Sequence, residues 1–459
     1  MTPEEFRRYG HQAIDWIAEF LMNVEHYPVL PAVEPGELTD ALPVHGPENG
    51  EAMETILADF ERLIVPACTH WNHPGFFAYF ANSGTPEGIL GELLAAALNG
   101  NGMVWKTSPA VTELEQVALR WLLAWSALPE TWFGMIHDTA STSSMHAIAA
   151  AREVIDPEAR TKGASRGLTV YTSAQSHWSI EKGAISIGIG KENVRNVPVD
   201  EEFRMRAEVL ESLIKADLAA GLRPCCVAAT VGTTSTTSVD PVPAIANICQ
   251  RYKLWLHIDA AYGGAAALAP EFRWAFEGCE RADSFVMNPH KWLQVPMDCS
   301  VFYTSRPEVL RRAFSMVPDY LTIPTATRAV NLMDYGVPLG RRFRALKLWF
   351  VMRSYGHEGL ANLIREHVRL AKWFESQVVA DGRFEIAAPV HFSVVNFRLK
   401  GGDEDNQRIL DQVNAAGNVF LSNTVLHGKF YLHLAVGNYQ TAERHVARAW
   451  ELVSQAIPR

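Results

Sequence analysis

Through the middle of the chain, short apolar runs alternate with segments of helical periodicity. "GLTVYTS" is followed by "HWSIEKGAISIG" and "CCVAATVGTT" by "VPAIANICQRY"; then come "LWLHIDAAYGG" and "SFVMNPHKW". Repeated strand–helix–strand order predicts an α/β body, a mainly parallel sheet with helices on both faces. The ends read differently. "MTPEEFRRYGHQAIDWIAEFLMN" predicts a helix with a Thr2/Glu5 capping box, Pro3 at its first position and an apolar stripe of Phe6, Tyr9, Ile14, Ile17 and Leu21. An extended connector follows over residues 27–50, marked by Pro28, Pro31, Pro35, Pro43 and Pro47. "GILGELLAAALNGNGMVW" is interrupted by Glu92 and glycines, which predicts a packed helix and not a membrane span. After about residue 350 a long amphipathic helix, "GLANLIREHVRLAKWFESQVV", precedes strand-like "FEIAAP", "FSVVNFRLK" and "KFYLHLAV", the pattern of a smaller α+β unit. No fixed-period repeat or low-complexity tract interrupts this order.

Composition narrows the class. The 459 residues are 48% hydrophobic and 20% charged, enough for more than one structural unit in a globular body. The net charge, 41 − 51 = −10, argues against nucleic acid or an anionic membrane as partner. The N-terminus lacks a basic segment followed by an apolar core, so no secretory leader is expected. Six cysteines without a C-x-x-C pair, two of them adjacent before a strand-like run, read as buried thiols in a reduced, cytoplasmic setting.

The candidate chemistry begins at Lys291, set among Phe285, Val286, Met287, Trp292, Leu293 and Val295. A lysine amine buried among such residues loses its charge readily and becomes a nucleophile suited to a carbonyl. Asp259 ends the apolar strand of "LWLHIDAAYGG", where carboxylates face the ligand crevice of a parallel sheet; it suits the protonated nitrogen of a pyridine ring, or a helix cap. "HDTASTSSMHAIAAAREV" runs from small polar residues into a helix, so Thr139, Ala140, Ser141 and Thr142 offer N–H groups and hydroxyls to a phosphate, or serve as an ordinary N-cap. His177, in "SAQSHWSIEKGA", can stack on a flat ring and donate a proton, or sit as a capping histidine. Taken singly, each has an ordinary reading. Together they match the needs of pyridoxal 5′-phosphate.

At this point the chain resembles the group II pyridoxal-phosphate amino-acid decarboxylases, and most closely the aromatic-L-amino-acid decarboxylases. The resemblance covers nearly the whole chain, through "HWNHPGFFAYF", "SPAVTELE", "SHWSIEKGA", "HIDAAYGG", "ADSFVMNPHKW" and "PLGRRFRALKLWF" in family order. It implies the type I (aspartate aminotransferase-like) fold, with an N-terminal helical segment over residues 1–83 packing on a partner subunit, a cofactor domain over 84–350 and a small C-terminal domain over 351–459. The implied state is a homodimer with the active site at the subunit interface. Lys291 is the implied Schiff-base lysine, Asp259 the partner of the ring nitrogen, and His177 and Ala261 the packing on the two ring faces. Ala140, Ser141, Asn288 and His290 are implied around the phosphate, and Thr234 beside the cofactor. Tyr320 is implied as the group that protonates the α-carbon from a closing loop. Relatives with phenylalanine there act as aldehyde synthases, so Tyr320 favours plain decarboxylation. Trp71, Tyr79, Phe80, Asn82, Asn101, Met103 and Gly340 fall where the family builds its side-chain pocket, several of them contributed by the partner.

The expected activity is decarboxylation of aromatic L-amino acids (tryptophan, 5-hydroxytryptophan, dopa, phenylalanine or tyrosine) to aryl-ethylamines. The alternatives are an aromatic aldehyde synthase, a decarboxylase of another amino acid such as histidine, and a descendant without turnover. Other motifs carry less. "GASRG" matches G-x-S-x-G, but no strand precedes it and no helix follows. His70 and His73 in "HWNH" lack a third ligand, so no metal is expected. "SIGIGK" is not a P-loop, and "GRRFRALK" reads as a helix start near the site.

Overall fold

In the computed structural model, which describes residues 1–80, 82–316 and 329–457, the alternating segments form a seven-stranded sheet. Its strands are β1 (Phe133–His137), β2 (Leu168–Ser173), β3 (Val194–Val197), β4 (Arg223–Thr230), β5 (Trp255–Asp259), β6 (Ser284–Met287) and β7 (Ser300–Thr304). Their order across the sheet is β1-β7-β6-β5-β4-β2-β3. β5 is buried along its whole length between β4 and β6, as its unbroken apolar run requires. β7 departs from the parallel rule and runs antiparallel to both β6 and β1. The reason is local. Only the short helix Pro289–Trp292 and a few loop residues separate β6 from β7, so the chain turns back without a long crossover. Lys291 lies in that connection.

The smaller unit has four antiparallel strands, β8 (Phe384–Ile386), β9 (Val394–Leu399), β10 (Ser422–Leu426) and β11 (Lys429–Ala435), in the order β10-β11-β9-β8. Its core joins Phe374, Val378, Phe397, Leu432 and Val446, and takes in Phe77 from far upstream. The helix Arg344–Asp381 links the two sheets; only Gly356 (φ 65°) leaves helical geometry within it. Among the described residues no helix is long and apolar enough to cross a membrane. Cys225 and Cys226 are buried as expected, whereas Cys68 is exposed.

Two helices leave apolar faces uncovered. The first helix, Pro3–Asn23, has the expected capping box: Glu5 N–H donates to Thr2 Oγ1 at 3.2 Å and Thr2 N–H to Glu5 Oε2 at 2.7 Å. Of its predicted stripe, however, only Leu21 is buried, while Phe6 and Ile14 are exposed. The helix Pro86–Leu98 packs through its glycines. A Cβ on Gly91 would lie 2.7 Å from the Lys347 Cα, so that face admits no side chain. Its leucines Leu90, Leu93, Leu94 and Leu98 face outward, and the packed helix expected from the sequence is packed on one side.

The apolar surroundings of Lys291 are structural anchors. Trp292 is fully buried, stacks on Tyr262 at 4.8 Å and donates its indole N–H to His367 Nδ1 at 2.9 Å. His367 Nε2–H in turn donates to the Asn438 carbonyl at 3.0 Å, and burial holds the ring neutral, with its pKa down to about 4. A Trp292→Phe variant leaves the His367 Nδ1 lone pair without a donor. Its unfolding free energy should fall by about 1–3 kcal/mol, measured by chemical denaturation of the two proteins side by side.

Candidate active site

The carboxyl end of β5 and the connection after β6 open into a cavity of about 410 Å³, within the range of small-ligand sites. Lys291 and Asp259 both line it. The short helix Pro289–Trp292 holds Lys291 in place, its backbone N–H donating to the Asn288 carbonyl at 2.9 Å. Lys291 is half-buried at the cavity wall, and desolvation of its amine pushes the pKa below its ordinary value, with Asp259 acting in the opposite sense. Asp259 is almost fully buried and accepts the Ala261 N–H at 3.1 Å. "HIDAAYGG" needs its first glycine here. A Cβ on Gly263 would lie 2.4 Å from the Val231 carbonyl oxygen, so the turn after β5 can close against the end of β4 only without one.

An anion cradle faces this pair. The helix Ala140–Ile155 starts beside the cavity, and its N-cap Thr139 makes no side-chain capping bond, which leaves the first-turn N–H groups free of a side-chain cap. His290 is buried with its Nδ1 accepting the Cys299 N–H at 2.9 Å. A backbone N–H can only donate, so the ring proton sits on Nε2, and burial lowers its pKa to about 4. Among the described residues the buried side-chain oxygen of Asn288 has no hydrogen-bond partner, as suits a polar group that faces a ligand. His177 shows the same tautomer as His290: Nδ1 accepts the Ser179 N–H at 3.2 Å and lies 2.8 Å from Ser179 Oγ, which leaves the proton on Nε2. Desolvation lowers its pKa. An amine, a carboxylate, a helix start with uncapped N–H groups and an unpartnered buried amide fit pyridoxal phosphate group by group.

The remaining wall is aromatic. Trp71 stacks on Phe76 at 4.4 Å and on Tyr79 at 6.3 Å, and Phe80 packs on Tyr262 at 4.3 Å. Of the residues singled out in the sequence, Trp71, Tyr79, Phe80, Asn82, Ala140, Ser141, His177, Thr234, Asp259, Ala261, Asn288, His290 and Lys291 line this one cavity. Asn101, Met103 and Gly340 do not. They gather on another part of the chain, where Asn101 Oδ1 accepts the Arg341 N–H at 2.9 Å and the Met103 carbonyl accepts the Met333 N–H at 3.2 Å. Gly340 lines a separate cavity with His137 and His146. Tyr320 lies outside the described residues.

Several lining residues escaped the sequence reading. Tyr262 stands inside a motif already singled out, next to Ala261, and its position there was the available signal. Ser422, Asn423 and Thr424 come from β10 and His433 from β11, and no motif in the sequence marks them. The motifs set aside are accounted for. Ser165 of "GASRG" is tied to Asp156 and Arg223 beside β2. His73 is spent on the backbone, accepting the Gly75 N–H at 2.8 Å. In "GRRFRALK", Arg341, Arg342 and Arg344 pair with Glu115, Glu92 and Asp298.

The model of the pyridoxal-dependent decarboxylase conserved domain matches residues 35–400. A tyrosine decarboxylase from Petroselinum crispum is 41% identical over 99% of this chain and 93% of its own length. A phenylacetaldehyde synthase from a Rosa hybrid cultivar is 39% identical over 100% of this chain and 95% of its own. The crystal structure of Oryza sativa TDC with PLP and tryptamine superposes with a TM-score of 0.95 at 36% identity, covering 99% of this chain and 98% of that one.

Proposed function

Because the chain belongs to the pyridoxal-dependent decarboxylase family, in its aromatic amino-acid group and with pyridoxal 5′-phosphate as cofactor, we propose that it decarboxylates aromatic L-amino acids to aryl-ethylamines and carbon dioxide. The observation that carries the proposal is the meeting, in one cavity, of Lys291 and Asp259 with the uncapped start of the Ala140 helix and the wall of Trp71, Tyr79 and Phe80. When bound, pyridoxal phosphate supplies an aldehyde and a ring that takes up the electron pair left by departing carbon dioxide. Lys291 Nζ holds the aldehyde, and burial favours the neutral, nucleophilic amine. Asp259 would hold the proton on the ring nitrogen. The first N–H groups of the Ala140 helix, His290 Nε2–H and Asn288 Nδ2–H would hold the phosphate. His177 would lie against the ring with its Nε2–H available for proton transfer, and Tyr320 would deliver a proton to the α-carbon of the substrate.

The aromatic wall favours tryptophan, 5-hydroxytryptophan, dopa, tyrosine or phenylalanine over histidine or glutamate, because flat apolar rings gain most from it. A homodimer completes the site in this proposal. The exposed leucines of the Pro86 helix and the uncovered stripe of the first helix need a second surface, and Asn101, Met103 and Gly340 would reach the cavity of the other copy.

The second reading is an aldehyde synthase, since a relative as similar as 39% carries that name. A product assay separates the two. Purified protein loaded with pyridoxal phosphate meets each amino acid in turn, with amine, aldehyde and peroxide quantified. Amine without peroxide supports the proposal, and aldehyde with stoichiometric peroxide replaces it by the second reading. In the same assay Tyr320→Phe should shift product from amine towards aldehyde and lower amine formation by about a hundredfold, the scale of one positioned proton donor. An unchanged product ratio would take Tyr320 out of the protonation step.

A further inference from the structure

Tyr79 holds a backbone conformation that a non-glycine residue rarely adopts, with φ at +52°. Two bonds from the small unit grip it. Its N–H donates to Ser422 Oγ at 3.0 Å, and its carbonyl accepts from His433 Nε2 at 2.9 Å. The other nitrogen of His433, Nδ1, lies 2.9 Å from Asn396 Oδ1. The orientation of that amide is set from its far side, where Asn396 Nδ2 donates to the Ser235 carbonyl at 2.6 Å. Both ring nitrogens of a buried histidine therefore face acceptors. A neutral imidazole has one N–H and can satisfy only one of them; the doubly protonated ring satisfies both.

We propose that His433 is a positioning residue for substrate selection, which clamps Tyr79 into the aromatic wall and does so most firmly when its ring carries both protons. The chain of bonds runs from Ser235, in the turn that lines the cofactor side, through Asn396 and His433 to the Tyr79 carbonyl. It ties the ring-binding wall to the cofactor side through the small sheet. Of the titratable and charged groups nearby, Asp259, His177, His290 and Lys291 line the same cavity as His433, and Arg398, next along the same face of β9 as Asn396, is held by Asp403 at 3.0 Å. Burial lowers the His433 pKa while the Tyr79 carbonyl raises it. The second proton is thus gained below the ordinary imidazole range, and the clamp tightens as pH falls.

The proposal rests on the cavity being the substrate site, and its test separates the two. His433→Gln keeps a donor for the Tyr79 carbonyl but cannot gain a proton; His433→Ala keeps neither bond. Dividing each variant's constants by those of the wild type at the same pH cancels ionisations common to both. The KM ratio of His433→Gln should stay near one above neutrality and rise about fivefold on acidification, the worth of one hydrogen bond, with kcat moving less. His433→Ala should show a raised KM at every pH. A Gln ratio flat in pH, or a fall in kcat alone, overturns the proposal. Crystal structures of the loaded wild type and of His433→Ala give a reading that needs no turnover. Tyr79 should lose its positive φ in the variant, and its retention overturns the clamp. A clamp confirmed by crystallography in a protein inactive on every aromatic amino acid would reject the substrate assignment instead.

Discussion

Replacing Lys291 with alanine should abolish turnover while leaving the protein folded. In the proposed function this amine is the nucleophile, and among the described residues no second lysine lines the cavity. The side chain makes no contribution comparable to that of Trp292, which carries the packing of the segment through Tyr262 and His367. Stability should therefore change little, whereas turnover should fall below detection, as expected when the nucleophile that holds the cofactor is removed. Reductive trapping gives a readout independent of rate. Borohydride treatment of the loaded wild type followed by peptide mass spectrometry should place the cofactor on the peptide containing Lys291, and the variant should show no labelled peptide. Label at another lysine would reassign the nucleophile.

The second large effect concerns Arg341. Its guanidinium donates to Glu115 Oε1 at 2.6 Å and to the Ile136 carbonyl at 3.0 Å, and both members of the ion pair are almost entirely buried. Glu115 also accepts the Ile136 N–H at 2.8 Å, so the pair pins the middle of β1 to the helix Pro109–Trp125. The Arg341 backbone does as much. Its N–H binds Asn101 and its carbonyl accepts the Gly102 N–H at 2.9 Å, which joins the 101–103 segment to the 340–341 turn. Arg341→Ala leaves the Glu115 charge buried without its partner. Unfolding free energy should drop by about 3–5 kcal/mol, the usual cost of breaking a buried pair from one side. Arg341→Ala/Glu115→Ala should recover part of that loss. Denaturant titrations of the three proteins check this, and a double variant no more stable than the single would mean the pair is not what holds the region.

The candidate site was legible where its chemistry is compressed into short motifs. Asp259 was legible from its place at the carboxyl end of a parallel strand and Lys291 from its apolar neighbours, whereas Ala261, Asn288 and His290 were named through the family resemblance of the motifs that hold them. Asn101, Met103 and Gly340 were named from the family resemblance alone, and they lie away from the cavity of their own chain. His433 and Ser422 were not legible at all. Ser422 stands in β10 and His433 in β11, neither within a recognisable motif, and only the approach of the Tyr79 segment gives them a partner at the cavity.

The sequence by itself determined the elements and the local chemistry. Periodicity and caps specify strands and helices because they depend on neighbours within a few residues, and the apolar neighbours of Lys291 made it a candidate nucleophile for the same reason. The tertiary structure decided what depends on how the chain packs in space, whether the partners are near or far along the sequence. It reversed β7, set the tautomers of His177 and His290 through their backbone donors, and closed the aromatic wall by bringing Tyr79 against β11. Such contacts follow from how whole units pack, and packing energy is a property of surfaces that meet only after the chain has folded.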